Sequence, residues 1–278
     1  MTEQHRMHAR ISRDTQLCMS LSARPGNFGT RFQNHLYGEM GLDYVYKAFT
    51  TTDLPAAIGG IRALGIRGCA ISMPFKEACI PLIDALDPSA AAIGSVNTIV
   101  NDDGVLRGYN TDYIAIERLI ARYAIAPEMR LVLRGSGGMG KAVASAFRDQ
   151  GFRNATLVAR NETTGRALAE ACGFGWRPDF DGLSGDLLVN VTPVGMDGGP
   201  DSAALAFPER MILGAKIVFD VVAIPVETPL IRRAREHGRV VMTGGEVLVL
   251  QGVEQFALYT GQRPDDAQLA RAAAVALA

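Results

Sequence analysis

The stretch LVLRGSGGMGKAVASA, residues 131–146, decides the fold of this chain. Its first three residues are typical of a strand, and apolar positions with helical spacing resume at residue 142. Between them stand four glycines, Gly135, Gly137, Gly138 and Gly140. Because glycines let a ligand approach the backbone and N–H groups at a helix start attract anions, we predict a strand, a tight turn and a helix that bind a pyrophosphate. A glycine-rich turn that binds nothing remains the alternative, since Gly-x-Gly-Gly-x-Gly departs from the usual dinucleotide fingerprint.

The composition is that of an ordinary soluble globular protein. With 278 residues, one or two domains are expected. A hydrophobic content of 48%, a charged content of 21% and a formal net charge of −1 give no reason to expect nucleic acid or an anionic membrane as partner. The 4 cysteines are scattered without a C-x-x-C pair, which indicates neither a disulfide framework nor a thiolate metal site.

The N-terminal segment carries no recognisable targeting signal. It is rich in arginine and histidine but lacks an apolar core, and no apolar run in the chain is long enough to span a membrane. The pair His5 and His8 has no neighbouring third ligand, so we interpret it as part of an ordinary tail and expect no metal site. We therefore expect a cytoplasmic protein.

The first half of the chain alternates strands with helices. Strands are predicted at residues 15–21, 44–49 and 68–72, and the second intervening helix is expected to bury Ile58, Ile61 and Leu64. This alternation predicts a parallel α/β layer. A further strand at 94–100 runs into a hairpin turn at 102–104.

Polar residues fall where these elements begin or end. Lys76 lies at a helix start opened by Pro74, where a positive charge opposes the helix dipole. Asn97 lies in the segment 94–100, and Thr111 and Asp112 begin the next helix. A solvated lysine and a simple capping run are the plain interpretations, but ligands of open α/β sheets bind at such element ends.

The second half has the order of a doubly wound domain. After the glycine turn come a strand at 155–159, a helix at 162–171 and a strand at 186–191. In such domains a carboxylate at the end of the second strand, the ribose-reading position, binds the adenosine ribose of NAD, whereas an arginine there accommodates the phosphate of NADP. No carboxylate lies near residue 159, and Arg160 follows it, which favours NADP over NAD. Closing helices over 246–259 and 265–278 are expected to return to the first domain. We predict a substrate domain of residues 1–111 plus 246–278 and an NADP domain of residues 112–245.

With these pieces located, the chain resembles the shikimate dehydrogenase family, and within it the shikimate dehydrogenase-like branch. The resemblance runs from about residue 15 to 273, and its most specific motifs are Met73-Pro74-Phe75-Lys76-Glu77, Ser95-Val96-Asn97-Thr98, Tyr109-Asn110-Thr111-Asp112, the glycine turn, Asn190-Val191-Thr192-Pro193-Val194-Gly195-Met196 and Glu227-Thr228-Pro229-Leu230. It implies two α/β domains flanking a cleft and an NADP-dependent oxidoreductase that interconverts 3-dehydroshikimate and shikimate.

The resemblance also implies roles for single residues. Lys76 matches the family's catalytic lysine and Asp112 its partner carboxylate, Asn97 and Gln251 match side chains that hold ring hydroxyls, and Arg160 matches the arginine on the adenosine phosphate. The other positions assigned are, for the substrate, Asn27, Gly29 and Thr111, and for the cofactor, Gly135, Gly137, Gly138, Met139, Gly140, Asn190, Thr192, Val222 and Gly244.

Two departures from the family pattern concern the substrate. Asn27 and Gly29 replace a serine pair that holds the shikimate carboxylate, and Ser20 with Ser22 could match that pair only through a sizeable insertion. Residues 223–224, Ala-Ile, replace a tyrosine and an asparagine. We expect a small hydroxy acid as substrate, slow turnover of shikimate, and a monomer or homodimer. The alternatives are a quinate-type dehydrogenase using NAD and a non-catalytic NADP-binding sensor.

Overall fold

The computed structural model describes residues 11–277, so the pair His5 and His8 lies outside the described residues. The strands are β1 (Gln16–Leu21), β2 (Tyr44–Phe49), β3 (Gly68–Ile71), β4 (Ala85–Leu86), β5 (Thr98–Asp102), β6 (Val105–Tyr109), β7 (Leu131–Arg134), β8 (Ala155–Val158), β9 (Gly175–Arg177), β10 (Leu187–Asn190), β11 (Ile217–Asp220) and β12 (Val240–Thr243). The helices are α1 (Phe28–Glu39), α2 (Leu54–Ala63), α3 (Phe75–Ala78), α4 (Pro88–Ala91), α5 (Thr111–Arg122), α6 (Gly138–Asp149), α7 (Glu162–Cys172), α8 (Glu209–Gly214), α9 (Pro229–Glu236), α10 (Gly244–Thr260) and α11 (Asp266–Leu277).

The chain divides into two compact units. The first contains the described residues up to Thr111 and those from Gln251 onward, and the second runs from Asp112 to Leu250. The sequence puts the return to the first unit at residue 246, whereas the division in the structure falls inside α10.

The sheet of the first unit is mixed, with the order β2-β1-β3-β5-β6-β4. Strands β2, β1 and β3 are parallel, as predicted, but β5 runs antiparallel to β3 and to β6. The antiparallel pairing of β5 with β6 follows from the hairpin turn predicted at residues 102–104, because two strands joined by a tight turn must be antiparallel.

The core of the first unit lies between this sheet and α2. Ile58 and Ile61 of α2 pack with Leu21 and Ile71 of the sheet, and all four are essentially inaccessible to solvent. Asp53 caps α2 by accepting a hydrogen bond from Ala56 N at 3.0 Å. Leu64, expected in this core, is instead 77% exposed because α2 ends at residue 63.

The C-terminal helices pack on the first unit, as predicted. The side chain of Gln33 on α1 donates to the carbonyl of Gly252 on α10 at 3.0 Å, and Arg271 on α11 forms an ion pair with Glu39 on α1. Gly68 allows the ring of Tyr259 to lie against β3, because a Cβ at residue 68 would come within 2.2 Å of that ring. The return is therefore built on direct contacts with α1 and the sheet.

The sheet of the second unit is wholly parallel, with the order β9-β8-β7-β10-β11-β12. This is the 3-2-1-4-5-6 order of a doubly wound fold, whose strand order reverses between β7 and β10. Val132 and Leu188 of these two strands pack with Phe207 and Ile212 on one face. In such sheets ligands bind at the carboxyl ends of the strands beside the reversal, which here is where the glycine turn follows β7.

Several short elements were not predicted, and one predicted strand is shorter than expected. Strands β4, β9 and β12 and helices α4 and α8 have between two and six residues, which is too short for hydrophobic periodicity to reveal. The strand predicted at 94–100 begins only at Thr98, because residues 94–97 form the irregular segment before it.

Candidate active site

Strand direction brings several of the predicted residues of the first unit to one edge of its sheet. Lys76 follows the carboxyl end of β3 within the four-residue helix α3. Because β5 is antiparallel to β3, its first residue, Thr98, pairs with Ala70 near that same end. Thr98 also pairs with Tyr109 at the end of β6, which brings residues 110 and 111 to the same edge. We call this edge, with Lys76, Asn97, Thr98 and Thr111, the polar edge.

Backbone hydrogen bonds hold the lysine turn at the polar edge. The carbonyl of Lys76 accepts from Val96 N at 2.9 Å, and the carbonyl of Met73 accepts from Ala23 N at 3.1 Å. The first bond ties the lysine to the segment that carries Asn97, and the second ties the loop after β1 to the same turn. The side chain of Lys76 is half-buried.

Asn97 presents an unpaired donor at the polar edge. The side chain is 2% exposed, and its Oδ1 accepts from Thr111 N at 2.7 Å, from the Thr98 hydroxyl at 2.9 Å and from the Thr111 hydroxyl at 3.1 Å. Its Nδ2 is buried and has no hydrogen-bond partner among the described residues. An unsatisfied buried amide is costly, and a ligand oxygen would satisfy it. Asn97 therefore has the properties of a ligand-binding residue.

The other predicted substrate and catalytic residues differ in their surroundings. Thr111 is fully buried and spends both its N–H and its hydroxyl on Asn97, so it orients that side chain. Gln251 is half-buried on α10. Asp112 is 4% exposed in the first turn of α5, where the helix dipole favours a negative charge.

The altered substrate loop leaves little room for a serine at residue 29. Asn27 is the exposed N-cap residue of α1 and makes no side-chain capping bond. A Cβ at Gly29 would lie 3.3 Å from the Tyr46 hydroxyl, a tight contact. Burial raises the pKa of Tyr46, so its hydroxyl stays a neutral neighbour of residue 29.

The glycine turn of the second unit needs its glycines for steric reasons. Gly135 follows β7 with a φ of +115°, and a Cβ there would come within 2.8 Å of the Thr192 side chain. Gly140 packs on the turn itself, since its Cβ would lie 3.0 Å from the carbonyl oxygen of Gly135. The turn is thus brought against the loop that follows β10, at the strand-order reversal.

The start of α6 suits a pyrophosphate. Gly137 is its N-cap residue and has no side chain to bond the first N–H groups, and Gly137 and Gly138 are exposed with open space where a Cβ would point. Met139 is half-buried in the first turn. An anion in this space would receive uncapped N–H groups and the positive end of the helix dipole, so these residues fit a dinucleotide.

Arg160, at the ribose-reading end of the sheet, makes no side-chain hydrogen bond or ion pair within the described part of the chain. It is exposed directly after β8, whereas Arg166 pairs with Glu162 at 2.7 Å and lies 4.2 Å above the ring of Trp176. Burial lowers the pKa of Arg134, and the charge of Arg160 lowers it further, so two guanidinium groups are close in space. Their combined charge suits a phosphate.

The Asn190 side chain, predicted at the cofactor, is engaged in hydrogen bonds within the protein. Its Nδ2 donates to Asp220 Oδ1 at 2.9 Å and approaches two loop carbonyls at 3.3 Å, while its Oδ1 accepts from the N–H and hydroxyl of Thr192. This amide has no capacity left for a ligand, so Asn190 shapes the loop that carries half-buried Thr192.

Asp220 fixes the neighbouring loop and was not singled out from the sequence. It is fully buried and accepts from Val222 N at 3.1 Å and from the Thr228 hydroxyl at 2.7 Å. Burial raises the pKa of Asp220 to about 6, against the opposing effect of these hydrogen bonds. Val222 in turn touches Gly244, where a Cβ would lie 2.3 Å from the Val222 carbonyl oxygen. Val222 and Gly244, both predicted to contact the cofactor, are therefore close together.

Two further properties concern metals and membranes. Within residues 11–277, no group of three His, Cys, Asp or Glu side chains is arranged to hold a metal ion. No helix in the same part of the chain is both long and apolar enough to cross a membrane.

These features define a class: a two-unit α/β protein with a dinucleotide-type unit and a unit that carries a polar edge. The model of the shikimate dehydrogenase substrate binding domain matches residues 28–99. A shikimate dehydrogenase-like protein of Haemophilus influenzae is 56% identical over 96% of this chain and 98% of its own length. The chain belongs to the shikimate dehydrogenase family.

Solved structures agree with this assignment. That of a shikimate 5-dehydrogenase-like protein has a TM-score of 0.96 at 55% identity and covers 97% of this chain and 100% of its own. Shikimate 5-dehydrogenase of Thermus thermophilus, in complex with NADP(H) and shikimate, has a TM-score of 0.82 at 29% identity and covers 94% and 99%. Quinate dehydrogenase of Corynebacterium glutamicum, in complex with NAD, has a TM-score of 0.85 at 27% identity and covers 94% and 98%.

Proposed function

We propose that this protein is an NADP-dependent oxidoreductase that interconverts 3-dehydroshikimate and shikimate or a closely related cyclic polyol acid. The observation that carries the proposal is the buried Asn97 Nδ2, which has no partner among the described residues and lies on the same sheet edge as Lys76. A hydroxyl-bearing ring is the kind of ligand that satisfies such a donor. Membership of the shikimate dehydrogenase family supports the same substrate class.

The residues that would hold the cofactor are those of the second unit. The N–H groups at the start of α6 would hold the pyrophosphate, Arg160 would hold the adenosine phosphate, and Thr192, Val222 and Gly244 are the further residues that would contact the cofactor. When bound, the nicotinamide supplies or accepts the hydride.

Lys76 handles the proton. As an ammonium it donates a proton to the alkoxide that develops when the ketone is reduced, and as a neutral amine it takes the proton back in the oxidation direction. Asp112 is the partner carboxylate in this proposal, as the family pattern implies. A non-catalytic sensor would need neither residue, so their presence favours the enzyme.

We further propose that shikimate is turned over slowly. Each serine hydroxyl on a carboxylate is worth about 1.5–3 kcal/mol, and Asn27 with Gly29 supplies one side-chain amide of different reach in place of two hydroxyls. A ring that is less well oriented reacts more slowly as well as binding more weakly. The best substrate is then a relative of shikimate. A quinate-type enzyme using NAD is the alternative, and the lack of a carboxylate at Ala159 speaks against it.

The proposal is tested by an absorbance assay of NADPH and NADH formation with shikimate and quinate. We expect NADPH to form, slowly with shikimate. The double variant Asn27→Ser/Gly29→Ser should raise kcat/KM for shikimate by about tenfold or more, at 1.4 kcal/mol per decade. Because a Cβ at residue 29 crowds the Tyr46 hydroxyl, the same pair is also made with Tyr46→Phe.

Gly26→Ser is the matched control, since it adds a hydroxyl to the same loop where a Cβ meets nothing within 4 Å. A gain for the double variant that Gly26→Ser lacks supports the carboxylate position. No gain in either background would show that the carboxylate is held elsewhere, and NADH formation in preference to NADPH would contradict the cofactor assignment.

A further inference from the structure

Gln255 on α10 contacts the polar edge. The sequence predicted only one residue of this helix, Gln251, to contribute to the site. Gln255 is buried one turn further along α10, and its Nε2 donates to the Thr98 hydroxyl at 3.1 Å. Thr98 is fully buried and its hydroxyl donates in turn to Asn97 Oδ1 at 2.9 Å. Gln255, Thr98 and Asn97 therefore form a continuous chain that ends at the unpaired Asn97 Nδ2.

The direction of each bond in this chain follows from the donors involved. The amide N–H of Gln255 can only donate, so Thr98 Oγ1 must accept there. A hydroxyl has one proton, and Thr98 is then free to direct its proton to Asn97 rather than to the Thr111 hydroxyl 3.4 Å away. The backbone N–H of Thr111 must face the Asn97 oxygen, which fixes the orientation of the carboxamide. Gln255 in turn orients the Thr98 hydroxyl, which donates to the same oxygen.

Three donors on one carbonyl oxygen have two consequences for Asn97. They restrict the rotation of the carboxamide, so that Nδ2 faces a single direction. They also polarise the amide, because hydrogen bonds in series strengthen one another in a buried setting. Both effects make Nδ2 a better-defined and stronger donor.

We propose that Gln255 is a positioning residue that, through Thr98, holds the Asn97 carboxamide so that its Nδ2 donates to a ring hydroxyl of the substrate. This rests on the proposed function in one respect, namely that Asn97 binds substrate. A role limited to filling the buried space at residue 255 would affect stability and leave the Asn97 amide unchanged.

The first test examines the protein without substrate. In the full-length ¹⁵N-labelled protein, the Asn97 side-chain amide resonance is identified by its loss in Asn97→Asp. The variant Gln255→Met keeps a side chain of similar length but removes the donor, and we expect it to move that resonance. The matched control Gln262→Met makes the same change at an exposed position near the end of α10 and should leave the resonance in place. An unmoved resonance in Gln255→Met overturns the proposal.

The second test examines turnover of shikimate. Loss of one neutral hydrogen bond should raise KM for shikimate about three- to tenfold in Gln255→Met, with kcat and KM for NADP changed less than twofold. Thr98→Val should have an effect at least as large. Adding Gln255→Met to Thr98→Val should then cost nothing more, because the chain is already broken. Additive effects of the two changes would show that Gln255 does not act through Thr98.

The two proposals fail in different ways. If neither shikimate nor quinate moves the Asn97 resonance of the unmodified protein, Asn97 does not bind substrate and the observation that carries the proposed function fails, whereas the response of the free protein to Gln255→Met still decides the positioning role.

Discussion

At the scale of single residues, Lys76 is the side chain on which the proposed chemistry depends. Lys76 lies on a helix of only four residues, and its own carbonyl accepts a hydrogen bond from Val96 N, next to Asn97. Its position is therefore set by the polar edge and not by a long helix. A lysine beside a helix start does not stabilise the helix, because the favourable charge there is negative.

We expect Lys76→Ala to lower kcat by about 10²- to 10⁴-fold, the usual contribution of a positioned acid or base, with little change in KM. The measurement is steady-state kinetics with NADP and shikimate. Lys47→Ala is the control, because Lys47 is an exposed lysine of the same unit on β2. A Lys76→Ala enzyme within threefold of the parent would remove Lys76 from the mechanism.

At the scale of elements, the sequence predicted what periodicity and glycine spacing encode. Strand β2 is found at the predicted residues, and the glycine turn joins a strand to a helix as expected. The two-residue strand β4 was missed because pairing with β6, not its own sequence, defines it. The role of Gln255 was equally invisible, since only the folded chain shows that its amide meets Thr98.

The candidate site was predicted only in part from the sequence. The sequence identified the polar residue types at element ends, but it did not distinguish a residue that faces a ligand from one that shapes a loop. Asn97 keeps a donor that has no partner within residues 11–277, while the Asn190 amide is occupied by Thr192 and Asp220. That difference depends on the hydrogen-bond partners supplied by distant segments.

The junction between β12 and α10 gives a stability prediction. A Cβ at Gly244 would lie 2.3–2.4 Å from backbone atoms of residues 221 and 222, which cannot move as a side chain can. We expect Gly244→Ala to destabilise the protein by about 2 kcal/mol or more in denaturant unfolding. Gly59→Ala, inside α2 with nothing within 4 Å, should instead stabilise it by about 0.5–1 kcal/mol. Equal effects of the two changes would refute the close approach.

Asp220 gives a pH prediction for the connection between β11 and α9. Its pKa rises from an ordinary 3.8 to about 6 in the folded protein. Since a raised carboxyl pKa means that the folded state binds the proton more tightly, its contribution is greatest below pH 3.8 and is lost as pH rises through about 6. Between pH 4.5 and pH 7 this group should cost about 2 kcal/mol of unfolding free energy.

The test compares the unmodified protein with Asp220→Asn by denaturant unfolding at several pH values. An asparagine keeps an oxygen for Asn190 and Val222 and can donate to the Thr228 hydroxyl, but it does not titrate. The stability difference between the two proteins should therefore shift by about 2 kcal/mol over this range. A pH-independent difference would show that Asp220 titrates outside it.

At the scale of the whole molecule, the two units divide the work by chemistry. The wholly parallel sheet of the second unit offers a strand-order reversal and an uncapped helix start, which suit an anionic dinucleotide. The mixed sheet of the first unit offers an edge of hydroxyl, amide and ammonium groups, which suits a polyhydroxy acid. Because a cofactor that binds only the folded chain raises its unfolding free energy, cofactor binding can be measured without turnover.

We expect NADPH at about 100 times its Kd to stabilise the chain by about 2.7 kcal/mol, which raises Tm by about 5 °C. NADH at the same concentration should raise Tm less, because it lacks the phosphate that Arg160 binds.

Arg160→Ala should weaken NADPH binding by about 1–3 kcal/mol and leave the NADH shift unchanged. Arg122→Ala, an exposed arginine of the same unit, controls for the loss of one positive charge. If Arg160→Ala weakens the binding of both cofactors equally, Arg160 stabilises the fold near residue 160 and does not bind the NADP phosphate. The preference for NADP would then come from another group, and Arg134 would be the next arginine to replace.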